Sequence, residues 1–114
     1  MGGPLTNALV YGTRKFVEAN PKITESVVAA LDEATGWIQA DPEKAARTYL
    51  EATKERISVD ELVAMMRQPG VVFSTTPYGS MLQAEHYVKT GMIKMRPKDW
   101  REFYFPSIHD RQGN

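Results

Sequence analysis

Three times in this chain a residue with a short polar side chain stands directly before a proline: Asn20-Pro21, Asp41-Pro42 and Thr76-Pro77. The residue before a proline is pushed out of the helical region, and proline itself sits easily in the first helical turn, where its missing N–H is not needed. Each pair therefore reads as a cap followed by a helix start. A fourth start needs no proline. Ser58-Val59-Asp60-Glu61 has the spacing of a capping box, in which the serine hydroxyl accepts from the Glu61 amide and Glu61 reaches back.

Apolar residues between these starts keep the helical period. Val27, Ala30, Leu31, Ala34 and Ile38 form one stripe on a helix predicted from Pro21 to about Ala40, with Trp37 at its edge. Gly36 weakens that helix by about 1 kcal/mol relative to alanine, which predicts close packing against a neighbour. A third helix, 42–54, turns Ala45, Ala46, Tyr49 and Leu50 inward. The helix after Ser58 carries Leu62, Val63, Met65 and Met66 and stops at Pro69-Gly70. The helix opened by Thr76-Pro77, over 77–90, carries Met81, Leu82, Ala84, Tyr87 and Val88, with Gly91 as its left-handed terminator. Thr13 to Ala19 predicts a short helix ended by Asn20-Pro21, and Asn20 is read as the cap of the next one. Leu5 to Gly12 (LTNALVYG) predicts a strand centred on Leu9, Val10 and Tyr11, and Val71-Val72-Phe73 a short extended run. The aromatic tail predicts one turn of helix at Pro97 to Glu102 and irregular chain beyond. The reading is a mostly α chain with one or two short strands, forming a single unit over 1–114.

Composition narrows the function classes. Fourteen basic residues balance fourteen acidic ones, so neither nucleic acid nor anionic lipid is drawn by net charge. There is no cysteine, which removes disulfides, thiolate metal sites and cysteine nucleophiles. The longest apolar runs, such as Val27 to Leu31, fall far short of the ~20 residues that cross a bilayer, so direct membrane insertion is not expected. Met1-Gly2-Gly3-Pro4 lacks the basic start and apolar stretch of a secretory signal.

No catalytic constellation appears. His86 has no second histidine four residues away and reads as a solvated or hydrogen-bonded structural residue; His109 reads as surface. Tyr78-Gly79-Ser80-Met81 is not a nucleophile elbow, and neither Gly2-Gly3-Pro4 nor Pro77-Tyr78-Gly79 is a phosphate loop. Asp32-Glu33 and Asp60-Glu61 are adjacent in sequence, so on a helix they point apart and make no dyad. These residues predict no enzyme, no cofactor and no bound metal.

Two stretches carry a resemblance. The first is Val10-Tyr11-Gly12-Thr13-Arg14-Lys15-Phe16, Ala19-Asn20-Pro21, Ala29 to Ala34, Trp37-Ile38 and Asp41 to Ala46. The second is Phe73-Ser74-Thr75-Thr76-Pro77, Gly91-Met92-Ile93-Lys94, Pro97-x-x-Trp100 and Phe103-Tyr104-Phe105-Pro106. In order and spacing they resemble the late region and the ending of nitrate/sulfonate/taurine-type periplasmic solute-binding proteins, which include binders of a thiamine pyrimidine precursor. Gln83 to Tyr87 and Asp99 depart from the pattern, on helices expected to pack rather than bind.

The resemblance implies the C-terminal part, about the last third, of a type II periplasmic-binding-protein α/β fold: two lobes joined by crossing strands, closing on a small solute and delivering it to an ABC permease. It implies a periplasmic full-length protein, with Leu5 to Gly12 as the crossing strand. Asn7, Tyr11, Thr13 and the Thr75, Thr76, Pro77, Tyr78 turn are the candidate solute contacts. A superfamily enzyme branch uses a cysteine-rich segment that this chain lacks. Helix stripes built for an absent sheet predict that the isolated chain forms a homo-oligomer, most simply a symmetric dimer. The alternative is a freestanding helical interaction module that binds no solute.

Overall fold

The computed structural model describes residues 3–114, and its Cα framework divides into two compact units. One combines residues 3–28 with Thr76–Asn114, and the other is Ala29–Thr75. Five α-helices account for most of the ordered backbone, and among the described residues there is no strand.

In the first unit, α1 (Arg14–Ala19) begins at Thr13, whose extended backbone and side-chain oxygen make it an N-cap accepting from the Phe16 N–H at 3.2 Å. α2 (Pro21–Ala40) starts at its proline and crosses the boundary between the units. Asn20 does not cap it with its side chain. The amide instead reaches back, Nδ2 donating to the Phe16 carbonyl at 2.8 Å, so Asn20 closes α1. The Thr76-Pro77 start also differs from expectation. The corresponding helix, α3 (Ser80–Lys89), begins three residues later, after Gly79 at φ +69. Residues 77–79 are held as a turn by distant parts of the chain, which takes them out of the helix. Gly91, at φ +75, ends the helix as expected. The tail makes two short 3₁₀ turns, Trp100–Phe103 and Pro106–Ile108.

In the second unit, α4 (Pro42–Thr53) is capped by Asp41, whose carboxylate accepts from the Lys44 N–H at 3.0 Å. It ends on Lys54 in the left-handed region, φ 59. α5 (Val59–Met66) carries the full capping box. These two helices pack together, burying Ala46 and Val63.

The expected strand at Leu5 to Gly12 is not formed. The segment runs without a turn or bend, but a strand needs a ladder partner, and among the described residues none is supplied. The same holds for 71–73. Nor is Gly36 packed: a Cβ there would meet nothing within 4 Å.

The apolar core is small. Ala46, Val63, Ala84 and Trp100 are buried, whereas no residue of α2 is. Its stripe is largely open to solvent, with Val27 at 42% and Leu31 at 37% exposure and Trp37 beside it at 56%, while Ile38 is half-buried.

Candidate functional site

The candidate solute contacts fall into three situations. Asn7 and Tyr11 are exposed, Tyr11 at 94%, and touch no described polar partner. Thr13 and Thr75 are structural. Thr13 caps α1, and Thr75 lies in the second unit, where its hydroxyl donates to Asp32 Oδ1 at 2.5 Å. Thr76, Pro77 and Tyr78 lie in the first unit, at a turn closed from both sides.

That turn is the most organised place in the first unit. Thr6 N–H donates to the Tyr78 carbonyl at 2.9 Å, and the Tyr78 N–H donates to Thr6 Oγ1 at 2.8 Å. On the other side, Asn114 N–H donates to the Pro77 carbonyl at 3.2 Å. The Asn114 oxygens accept from Gly79 N–H at 2.5 Å and Ser80 N–H at 2.8 Å. Gly79 is required twice over, by its positive φ and because a Cβ would sit 2.4 Å from Leu5 Cδ2 and 2.9 Å from the Pro4 carbonyl. The backbone groups that would greet a solute here are occupied by the chain itself.

Beside the turn lies the buried Trp100. Its ring meets Tyr104 edge-on at 5.8 Å and His109 at 6.1 Å, and the Arg101 guanidinium lies 4.7 Å from its centre. Gly113 is pressed on the ring, since a Cβ there would come within 2.8 Å of Cε2. His109, read from sequence as surface, is half-buried: Nε2 lies 2.9 Å from the Tyr104 carbonyl and 3.1 Å from the Arg101 carbonyl. Two acceptors around one ring nitrogen require it to carry a proton. Asp99 accepts from the Arg101 N–H at 2.9 Å and from its guanidinium at 3.2 Å. The backbone N–H, above all, holds the Asp99 carboxyl below its ordinary value; partial burial opposes this, and the guanidinium adds to it. Ser80 and Tyr104 share a hydroxyl contact at 3.1 Å, with no base in the arrangement. Geometry of this kind fixes a tail. It supplies no nucleophile–base pair.

Two concavities stand out among the described residues. In the second unit a hollow of about 160 Å³ is lined by Trp37, Ala40, Asp41, Lys44 and Ala45, with Lys44 Nζ 4.5 Å over the indole. In the first, an open groove of about 460 Å³ is lined by Ile93, Lys94, Met95, Arg96, Pro97, Glu102 and Phe103. Among the described residues no three His, Asp or Glu side chains gather as metal ligands. No helix among the described residues is long and apolar enough to cross a membrane.

Sequence reasoning missed Thr6, Asn114 and Gly113. The Pro77-x-Gly79 spacing marks a turn, but nothing local to residues 6, 113 or 114 shows that they close it. Comparison with family models, curated proteins and solved structures finds no match in any of the three.

Proposed function

We propose that this chain is the carboxyl-terminal part of a non-catalytic, two-lobed solute-binding protein that serves an ABC importer. The solute is a small sulfonate, nitrate or related compound, and the full-length protein acts in the periplasm. The observation that carries the reading is the open stripe of α2: a 20-residue helix with regular apolar spacing and no buried residue. Such a helix is one layer of an α/β lobe whose sheet comes from elsewhere. The order of the motifs from Val10 to Pro106 supports the carboxyl-terminal assignment. Occupied backbone at Thr6, Tyr78 and Asn114 agrees with solute contacts coming mainly from other parts of the protein.

The freestanding interaction module is favoured by one observation, the burial of Trp100 at 5% exposure by the chain's own tail.

Sequencing the DNA upstream of Met1 separates the two. The proposal requires an in-frame sheet-bearing region with an export signal, and micromolar binding of taurine, nitrate or an alkylsulfonate by the encoded protein in calorimetry. The isolated chain should bind these no tighter than ~1 mM, about −4 kcal/mol. A stop codon directly before Met1, or micromolar binding by the isolated chain, overturns it.

A further inference from the structure

A net charge of zero conceals one uneven stretch. From Lys89 to Lys98 the chain reads KTGMIKMRPK, in which Lys89, Lys94, Arg96 and Lys98 are basic and no residue is acidic. The stretch lies wholly in the first unit, between the end of α3 and the first 3₁₀ turn. Met92 and Met95 stand among the cations, at 71% and 83% exposure.

The structure brings the two characters onto one surface. Lys94, Met95 and Arg96 line the same open groove as Ile93 and Phe103, the last at 49% exposure. Arg96 is held there by Glu85, and Glu102 turns its carboxylate to the Lys98 N–H at 2.9 Å. Among the described residues no carboxylate pairs with the ammonium groups of Lys89, Lys94 or Lys98. Against the four cations stand Glu85 and Glu102, which leaves a positive excess on a surface that also presents apolar tips.

We propose that this loop docks peripherally on the surface of an anionic lipid bilayer, with Met92 and Met95 entering the headgroup layer and Lys89, Lys94 and Lys98 meeting lipid phosphates. Charge gives the sign of the partner, and the form of the apolar groups gives its kind. Unbranched thioether side chains that stand out from the chain have no fixed shape to match and suit a fluid partner. Apolar tips flanked by lysines are the pattern of interfacial anchors, in which the stems cover apolar surface and the ammonium groups stay among the headgroups. An acidic protein segment would need a closed pocket or a free backbone edge, but the groove is open and Pro97 has no N–H to offer a strand. A duplex nucleic acid binds through several neutralised phosphates, more than this excess provides. The inference does not rest on the solute-binding reading.

Co-sedimentation with vesicles tests it, comparing phosphatidylcholine alone with equal parts phosphatidylcholine and phosphatidylglycerol. The chain should bind the mixed vesicles and not the neutral ones, and should be released near 1 M salt, where charges are screened beyond about 3 Å. Lys94→Gln and Lys98→Gln should each weaken partition about 5-fold, and Met95→Ser about tenfold. Lys15→Gln and Tyr11→Ser, exposed positions of the same unit outside the loop, should leave it nearly unchanged. All five substituted side chains are exposed, and circular dichroism checks that the helices persist. On bound vesicles, peroxide oxidation of Met92 and Met95, read by mass spectrometry, should slow several-fold, while that of Met65 in the second unit should not. Equal binding to neutral vesicles, equal losses in Lys15→Gln and Lys94→Gln, unprotected Met92 and Met95, or tighter binding to a polyglutamate peptide or to duplex DNA would each overturn the proposal.

Discussion

Thr6 and Tyr78 hold each other by two reciprocal hydrogen bonds: the Thr6 amide donates to the Tyr78 carbonyl at 2.9 Å, and the Tyr78 amide donates to the Thr6 hydroxyl at 2.8 Å. The pair joins positions 72 residues apart and fixes where α3 can begin. Thr6→Val keeps the shape and removes the acceptor, leaving a partly buried N–H unpaired at a cost of about 1 kcal/mol. Amide hydrogen exchange at Tyr78 should accelerate several-fold in Thr6→Val and stay near the original rate in Thr6→Ser. Equal exchange in the two variants would mean that the hydroxyl does not hold the turn.

Helix α2 contains a glycine with open space around it, and α4 ends on a lysine in the left-handed region. Gly36→Ala should raise the stability of the isolated chain by about 1 kcal/mol, since a methyl group clashes with nothing and removes backbone freedom from the unfolded state. Lys54→Gly should raise it by a similar amount, roughly 1 kcal/mol, by relieving the left-handed strain. Thermal unfolding followed by circular dichroism measures both. A loss of stability in Gly36→Ala would show that something packs against that face.

Acid should weaken two local structures. The Ser58 hydroxyl, then its backbone N–H, holds the Glu61 carboxyl below its ordinary value, and the Arg101 N–H does the same for Asp99. A folded value below the unfolded one gives stability that is complete above about pH 4 and lost as pH falls through the folded value. Urea midpoints should therefore be insensitive to these two groups between pH 5 and 7 and fall below about pH 4. Ser58→Ala combined with Asp99→Asn should flatten that acid limb. An acid limb of unchanged slope would contradict the assignment.

Much of the helical framework was legible because its signals are local. Asp41-Pro42 and the Ser58 to Glu61 box each act within one turn, so α4 and α5 start where the sequence puts them. Thr76-Pro77 carries the same signal, yet remote partners, Thr6 and Asn114, take the turn and delay the helix to Ser80. Asn20 could accept from the first N–H groups of α2 or donate to the last carbonyls of α1, and it donates backward to Phe16. The strand at 5–12 has the right residues, but a ladder is a property of two segments. The site was less legible. Thr13 and Thr75 serve as a cap and as the partner of Asp32, uses that a candidate list built on resemblance does not separate from solute contact. His109 looked like surface because the carbonyls it meets converge only once the tail folds into 3₁₀ turns.

On the proposed reading this chain carries helices whose core is completed from outside it, and the unfolding enthalpy of the isolated chain, by differential scanning calorimetry, tests that most directly. A 114-residue domain with a full core absorbs about 80 kcal/mol near 60 °C. With Ala46, Val63, Ala84 and Trp100 the buried aliphatic and aromatic residues among those described, the chain should absorb less than roughly half of that, over a broad transition. A single sharp transition with the full enthalpy would show a complete core and contradict the claim.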